Sequence, residues 1–355
     1  MHPEAGARRR FMALAAAVLL ALPATPSFAQ RARTEAAAPL RFGVLPVGGA
    51  VESRESWTPL LGDLSRALGR PVSVLSVSSY ESLDQAIRRG EVDFALLSAK
   101  LALDAVSTQR MSTARPPEGG RPPMLVVAQV KRNPGVSAHR AVLLTRTGAP
   151  PRTLKEVLDS PERWRLARGD SRSISGFIVP QQELFLPHGI AMERFRSELV
   201  DTHQGTALAV ANGDADVATN NTTDFERFRL QFPVEAARLQ VIWESGPTPP
   251  ALFVARRDQP AALQKALQDF LVGYGQARGP RGDAEREVLK QLQAPLGYVA
   301  QDNSALLSTA ALDYQLARQR ALNAKWVSPA AREARLERIE RSYAQQVATL
   351  RGAAP

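Results

Sequence analysis

Gly169-Asp170-Ser171-Arg172-Ser173-Ile174-Ser175-Gly176 and, further along, His203 through Asn221 (HQGTALAVANGDADVATNN) are the two stretches around which the chain is organised. The first crowds three serines and a closing glycine ahead of a segment of helical periodicity, Phe177, Ile178, Gln181, Leu184 and Phe185. A loop so placed offers hydroxyls together with the orphan N–H groups of a first helical turn, whose dipole favours negative charge. Taken alone, serines before a helix are more often N-caps. The second stretch adds weight. His203 opens an amphipathic helix (Ala207, Leu208, Val210, Ala211) that ends at Asn212-Gly213 and leads into a short strand, 216–219, and the polar cluster Asn220-Asn221-Thr222. Two helix starts with hydroxyl and imidazole donors predict a site for a small oxygen-rich anion.

Working outward, 355 residues suit two lobes rather than one small core. The beginning reads as an address, not as fold. Arg8-Arg9-Arg10 precede an apolar run from Phe11 to Leu22, Pro23 and Pro26 break it, and Ser27-Phe28-Ala29 supplies small residues before a cut. Residues 1–29 are therefore expected to be a signal peptide cleaved near Ala29/Gln30, by either the general secretory or the twin-arginine route. The apolar run is short of the roughly 20 residues that span a bilayer, so no stable membrane insertion is expected. With no cysteine, the chain has neither disulfides, nor thiolate metal sites, nor a lipid-bearing cysteine. Three arginines and one glutamate leave with the leader, taking the formal charge from +10 to about +8. The arginines are scattered, without a basic stripe interleaved with aromatics, which argues against nucleic acid as a partner and for a surface that gathers small anions.

Residues 30–39 read as a disordered linker. Then come a strand at 41–45, a helix at 57–68 stopped by Gly69, a strand at 72–77, a helix at 80–89 stopped by Gly90, and a strand at 92–97. Short connections between alternating strands and helices predict a parallel sheet whose ligand crevice lies at the carboxyl ends of its strands. Residues 115–123 are a proline- and glycine-rich loop, and strands follow at 124–130 and 141–145, the latter expected to cross between lobes. A second set then contains helix 153–158, strand 165–167, the serine loop, and the His203 unit. Strands at 241–243 and 252–255 flank a returning turn at 246–250, before helix 260–274 and two charged helices, 304–323 and 329–350.

These residues resemble the periplasmic phosphonate-binding proteins of ABC importers, within the phosphate, phosphite and phosphonate substrate-binding family. The resemblance runs through Trp57-Thr58-Pro59-Leu60-Leu61, Val92-Asp93-Phe94-Ala95, Gly169-Asp170, and Ser173-Ile174-Ser175-Gly176-Phe177-Ile178-Val179-Pro180. It continues through Ala207 to Asn212, Asp216 to Thr222, and Val241-Ile242-Trp243-Glu244-Ser245. It implies an α/β, two-lobed type II periplasmic-binding fold, each lobe a β-sheet flanked by helices. Lobe 1 is then residues 40–144 and 246–310, lobe 2 is 145–245, and 311–355 form a C-terminal helical extension.

The resemblance further implies that Ser173, Ile174, Ser175, His203 and Tyr80 hold the anion. Ile174 departs from the family's threonine and loses a hydroxyl, a hydrogen bond to an ionised group worth roughly 1.5–3 kcal/mol. Leu97 stands where members commonly have a ligand-reaching tyrosine. The acidic pair that grips an ammonium group in aminoalkylphosphonates falls on Thr223 and Ala251. Asp224, one residue away, would supply a carboxylate if the loop shifts; without it the preferred ligand lacks an ammonium group. Asn221 is a further secondary position, and Asn220 and Asn221 are expected to hold the loop through backbone hydrogen bonds. The implied partners are a small phosphonate-class oxyanion and the permease and ATPase of an ABC transporter, in the periplasm, with no cofactor and no metal. Two other readings stay open: a ligand sensor for a membrane receptor, and a secreted serine esterase or phosphatase using Ser173 or Ser175 with His203. The second needs a nucleophile elbow, a group orienting the histidine and an oxyanion hole, and no Gly-x-Ser-x-Gly occurs.

Overall fold

A computed structural model describes residues 38–45, 50–75, 77–107, 124–133 and 139–352. The expected leader (1–29), most of the expected linker (30–37) and the loop 115–123 lie outside these residues. The first half of the fold is β1 (Leu40–Val44), α1 (Ala50–Leu68), β2 (Val72–Leu75), α2 (Tyr80–Arg88), β3 (Phe94–Leu97), α3 (Ala99–Val106) and β4 (Met124–Val130). The second half is β5 (Arg140–Arg146), α4 (Leu154–Asp159), β6 (Arg165–Arg168), two wide turns at Ile174–Ile178 and Pro180–Phe185, β7 (Ser197–Val200), α5 (His203–Asn212), β8 (Val217–Asn221), α6 (Thr222–Gln231), α7 (Pro233–Ala236) and β9 (Leu239–Pro247). The chain then returns as β10 (Leu252–Arg256), α8 (Ala261–Gly273), α9 (Pro280–Gln291) and β11 (Tyr298–Ala300), and ends in α10 (Leu307–Asn323) and α11 (Pro329–Leu350).

Two sheets result, in the orders β11-β4-β10-β3-β1-β2 and β7-β6-β8-β5-β9. This is the two-sheet α/β architecture expected. The expectation of a parallel sheet holds only in part. β2, β1 and β3 are parallel, but β10 enters antiparallel between β3 and β4. The second sheet repeats the plan: β7, β6 and β8 are parallel, and β5 enters antiparallel between β8 and β9. Each sheet thus takes in one strand that arrives from the other, running against its neighbours.

The strand expected to cross between lobes does not do so. β5 pairs along its length with β8 and β9, and Ala141, Val142, Leu143 and Leu144 are all buried there. A strand covered on both faces satisfies its backbone only by staying in one sheet. The change of sheet therefore falls between Val130 and Arg140, not at 144. Likewise β9 runs to Pro247, which places the return after 246, and α10 starts at Leu307, so a boundary at 310 would cut a helix. α9 and β11 had no counterpart in the sequence reading.

In the first half Phe42, fully buried in β1, packs against Trp57 of α1 at 4.9 Å between ring centroids and Phe94 of β3 at 5.0 Å. Leu60, Leu61 and Leu64 bury one stripe of α1 on the same sheet, which is what its helical spacing requires. α10 packs on α3 and on both wide turns. Buried Lys100 of α3 meets Asp104 at 2.6 Å and Asp313 of α10 at 3.0 Å, while the Arg320 guanidinium lies 4.9 Å over the Phe177 ring.

Candidate functional site

A cavity of about 370 Å³ lies at the carboxyl ends of β1, β3, β6 and β8 and is walled by residues of both halves. Strand ends deliver the chain here, and helices begin here. Ser79, Ser173, Thr202 and Asn221 cap the starts of α2, the first wide turn, α5 and α6, and all four line the cavity. Their side chains accept the N–H groups of Ser82, Gly176, Gly205 and Asp224 at 3.1, 3.0, 3.1 and 2.8 Å. Four N-termini converging on one space make it favourable to negative charge. The sequence led us to expect two.

The serine loop continues into a turn wider than an α-helix, contrary to the helix expected there. The N–H groups of Phe177 and Ile178 both reach the Ser173 carbonyl, at 3.1 and 3.0 Å. Pro180 gives the reason. Having no N–H, it cannot donate to the carbonyl of Gly176 four residues earlier, which instead accepts from Thr219 Oγ1 of β8 at 2.7 Å and Gly169 N at 3.2 Å. The turn is thereby fastened to the sheet. The fastening needs both glycines, since a Cβ on Gly176 would stand 2.8 Å from the Gly169 Cα. The N–H groups of Ile174 and Ser175, first in the turn, are left without acceptors by the turn itself.

His203 is the first residue of α5, and its Nε2 lies 3.2 Å from Ser175 Oγ. Burial lowers its pKa, with Asp224 opposing, so the imidazole is neutral near pH 7. Its carbonyl accepts from Asn220 Nδ2 at 2.6 Å, and Asn221 Nδ2 lies 3.4 Å from Ser175 Oγ and donates to Asp224 Oδ2 at 2.7 Å. Tyr80, the first residue of α2, comes from the other half. Burial pushes its phenol up to about 12, against the opposing hydroxyls of Ser173 and Ser98, so it is a neutral donor. Contacts crossing the cleft include Arg172 Nη2 to Glu81 at 3.0 Å, Arg172 Nη1 to Asp84 at 3.9 Å, Ser98 Oγ to the Arg172 carbonyl at 3.4 Å, and Gln231 to Glu52 at 2.8 Å.

All ten residues singled out from the sequence line this one cavity: Tyr80, Leu97, Ser173, Ile174, Ser175, His203, Asn221, Thr223, Asp224 and Ala251. Asp224 does so without any shift of the loop, which removes the premise that the site lacks a carboxylate. Asp216 sits elsewhere and holds a strand end, accepting from Arg165 N at 2.8 Å and Nη2 at 2.7 Å. Arg132 and His139 were missed. They flank the passage from one sheet to the other, and Arg132 follows the carboxyl end of β4, a position from which the strand-end rule points into the crevice. His139 Nδ1 lies 3.1 Å from Thr223 Oγ1, and burial brings its pKa down to about 4.

The Ser175–His203 pair has the spacing of a nucleophile and its base, but not the third member. His203 Nδ1 is buried and no carboxylate is hydrogen-bonded to it among the described residues; the polar group acting on the ring is the Thr219 backbone, not the acidic third member of a triad. Nor does any group of three or more His, Asp or Glu side chains suited to a metal occur among those residues. The arrangement offers hydrogen-bond donors to an anion.

A family model described as "ABC transporter, phosphonate, periplasmic substrate-binding protein" matches residues 42–306. The chain is 29% identical over 250 residues to the phosphonates-binding periplasmic protein of Escherichia coli strain K12, covering 70% of this chain and 69% of that one. Among solved structures, it is similar to the binding protein component of an ABC phosphonate transporter from Pseudomonas aeruginosa, with a TM-score of 0.76 and 26% identity, over 87% of this chain and 96% of that one. A Prochlorococcus marinus protein solved with methylphosphonate shares the fold, with a TM-score of 0.64 at 16% identity over 78% of this chain and 98% of that one.

Proposed function

Because the chain belongs to the family of periplasmic substrate-binding proteins of phosphonate ABC transporters, we propose that it captures a phosphonate, phosphite or phosphate between its two lobes and hands it unchanged to a permease powered by an ATPase. The family is one of carriers, so the esterase reading falls away. The lobes correspond to the two sheets, closing on the ligand about the connections after Val130 and after Pro247. No helix among the described residues is long and apolar enough to cross a membrane. Export to the periplasm with cleavage near Ala29 agrees with the leader's pattern of charge and hydropathy.

The observation that carries the reading is the meeting of Ser175, His203 and Tyr80 from two lobes in one cavity on which four helix starts converge. In the closed state the anion's oxygens take the hydroxyls of Tyr80 and Ser175, the first N–H groups of the serine turn, and one imidazole nitrogen. Ile174 contributes its N–H and an apolar wall. A thermal-shift panel of phosphate, phosphite, methylphosphonate, 2-aminoethylphosphonate and sulfate tests this. At 100 times its dissociation constant a ligand stabilises by about 2.7 kcal/mol, which for a protein of this size raises Tm by about 4 °C. If no phosphorus oxyanion shifts the melt, the reading fails.

A further inference from the structure

Arg132 lines the cavity and the anion site leaves its chemistry unused. Its Nε is buried with no hydrogen-bond partner, and it forms no ion pair among the described residues. Arg227, also on the wall, has no such orphaned nitrogen. The carboxylates around the cavity already have donors of their own. Glu52 is held by Gln231 at 2.8 Å, Asp170 by Arg172 at 2.9 Å, Asp201 by the Thr202 N–H at 2.7 Å, and Asp224 by Asn221 at 2.7 Å. A guanidinium stays charged even when enclosed, and enclosing it without an acceptor is costly. The acceptor it lacks is therefore one that a ligand brings.

That acceptor is not the phosphonate head. The head's donors, Tyr80, Ser175, His203 and the serine turn, come from the starts of α2 and α5 and from the turn after β6, whereas Arg132 enters the cavity from the connector that follows the carboxyl end of β4. The cavity also exceeds a head group. At about 30 Å³ for each water-sized share, 370 Å³ holds about twelve, and a five-atom tetrahedral head fills fewer than half. Resting on the phosphonate reading above, we propose that Arg132 is a specificity residue that selects phosphonates whose tail ends in a carboxylate. A planar carboxylate meets a guanidinium through two parallel N–H···O bonds, a match an ammonium tail or a bare methyl does not make.

Isothermal titration of methylphosphonate and phosphonoacetate into wild type, Arg132→Gln and Arg132→Lys tests this. Wild type is expected to bind phosphonoacetate about 10- to 100-fold more tightly than methylphosphonate. Arg132→Gln should erase that preference, and Arg132→Lys, which keeps the charge without the fork, should recover part of it. Equal binding of the two ligands by wild type overturns the proposal while leaving the phosphonate reading intact. So does an equal loss for both ligands in Arg132→Gln, which would put the guanidinium on the head. Binding of neither ligand by wild type overturns the proposal, and the thermal-shift panel with phosphate and phosphite then decides the broader oxyanion reading. The ligand-free melt of each variant checks folding, and should Arg132→Gln not fold, the wild-type comparison together with Arg132→Lys decides.

Discussion

Removing one oxygen from Tyr80 isolates what the first half contributes to the anion site. In Tyr80→Phe the ring keeps its place at the start of α2 while the hydroxyl that meets Ser173 and Ser98 disappears. In the ligand-free protein those two serines turn to water or to each other's neighbours, so the melt should move by no more than about 2 °C, in keeping with a loss near 0.5–1 kcal/mol. In the complex the lost bond is one to an ionised oxygen, worth about 1.5–3 kcal/mol, and at 1.4 kcal/mol per decade the dissociation constant for methylphosphonate rises about 10- to 100-fold. Calorimetry measures the constant directly. Trp57 is 6% exposed and lines the same cavity, so its emission gives an independent readout. Because the wild-type phenol titrates near 12, its contribution should hold unchanged to pH 9, where an ordinary tyrosine begins to ionise. A dissociation constant within threefold of wild type would show that Tyr80 packs beside the anion without touching it.

Three further outcomes are expected. Glu81→Gln removes a latch across the cleft whose acid is 59% exposed; such a pair is worth about 0.2–1 kcal/mol, so affinity should weaken up to about fivefold with the ligand-free Tm unmoved, and an unchanged affinity would show that the latch does not favour closure. Gly176→Ala drives a Cβ to 2.8 Å from the Gly169 Cα, an overpacking cost of about 1–3 kcal/mol that a urea titration reads as a lower midpoint; a wild-type midpoint would mean the serine turn yields freely. His139 and His203 have folded pKa values below the unfolded one, so below about pH 6.5 the unfolded chain binds more protons and stability drains away as pH falls toward about 4. At 1.36 kcal/mol per pH unit His139 accounts for up to about 3 kcal/mol of this, and His139→Gln should flatten the profile by that share, whereas a wild-type profile level across this window contradicts the assignment.

The sequence disclosed whatever was local. Tyr80 to Arg88 and His203 to Asn212 carry their period within the helix and their caps, Ser79 and Thr202, immediately before it, and the serine, histidine and asparagine side chains of the site announce themselves by type. What stayed hidden depends on chain that lies far away. The antiparallel entry of β10 and β5 follows from two passages between sheets, which no short window contains. The twin strand order of the two sheets has no repeating residues behind it. The wide turn after Ser173 follows from one missing N–H at Pro180, which helical periodicity alone does not register. Arg132 lies in a connector without pattern, and only its place after β4 aims it at the cavity.

The family match ends at residue 306, one residue before α10 begins. That helix packs on α3 of one half and on the wide turns of the other, held near its middle by Asp313 on Lys100 and in its last turn by Arg320 on Phe177. A jaw with a strut across its back has less travel than one without. On the proposed reading, opening of the mouth for release is expected to be limited by this splint as well as by the grip on the anion.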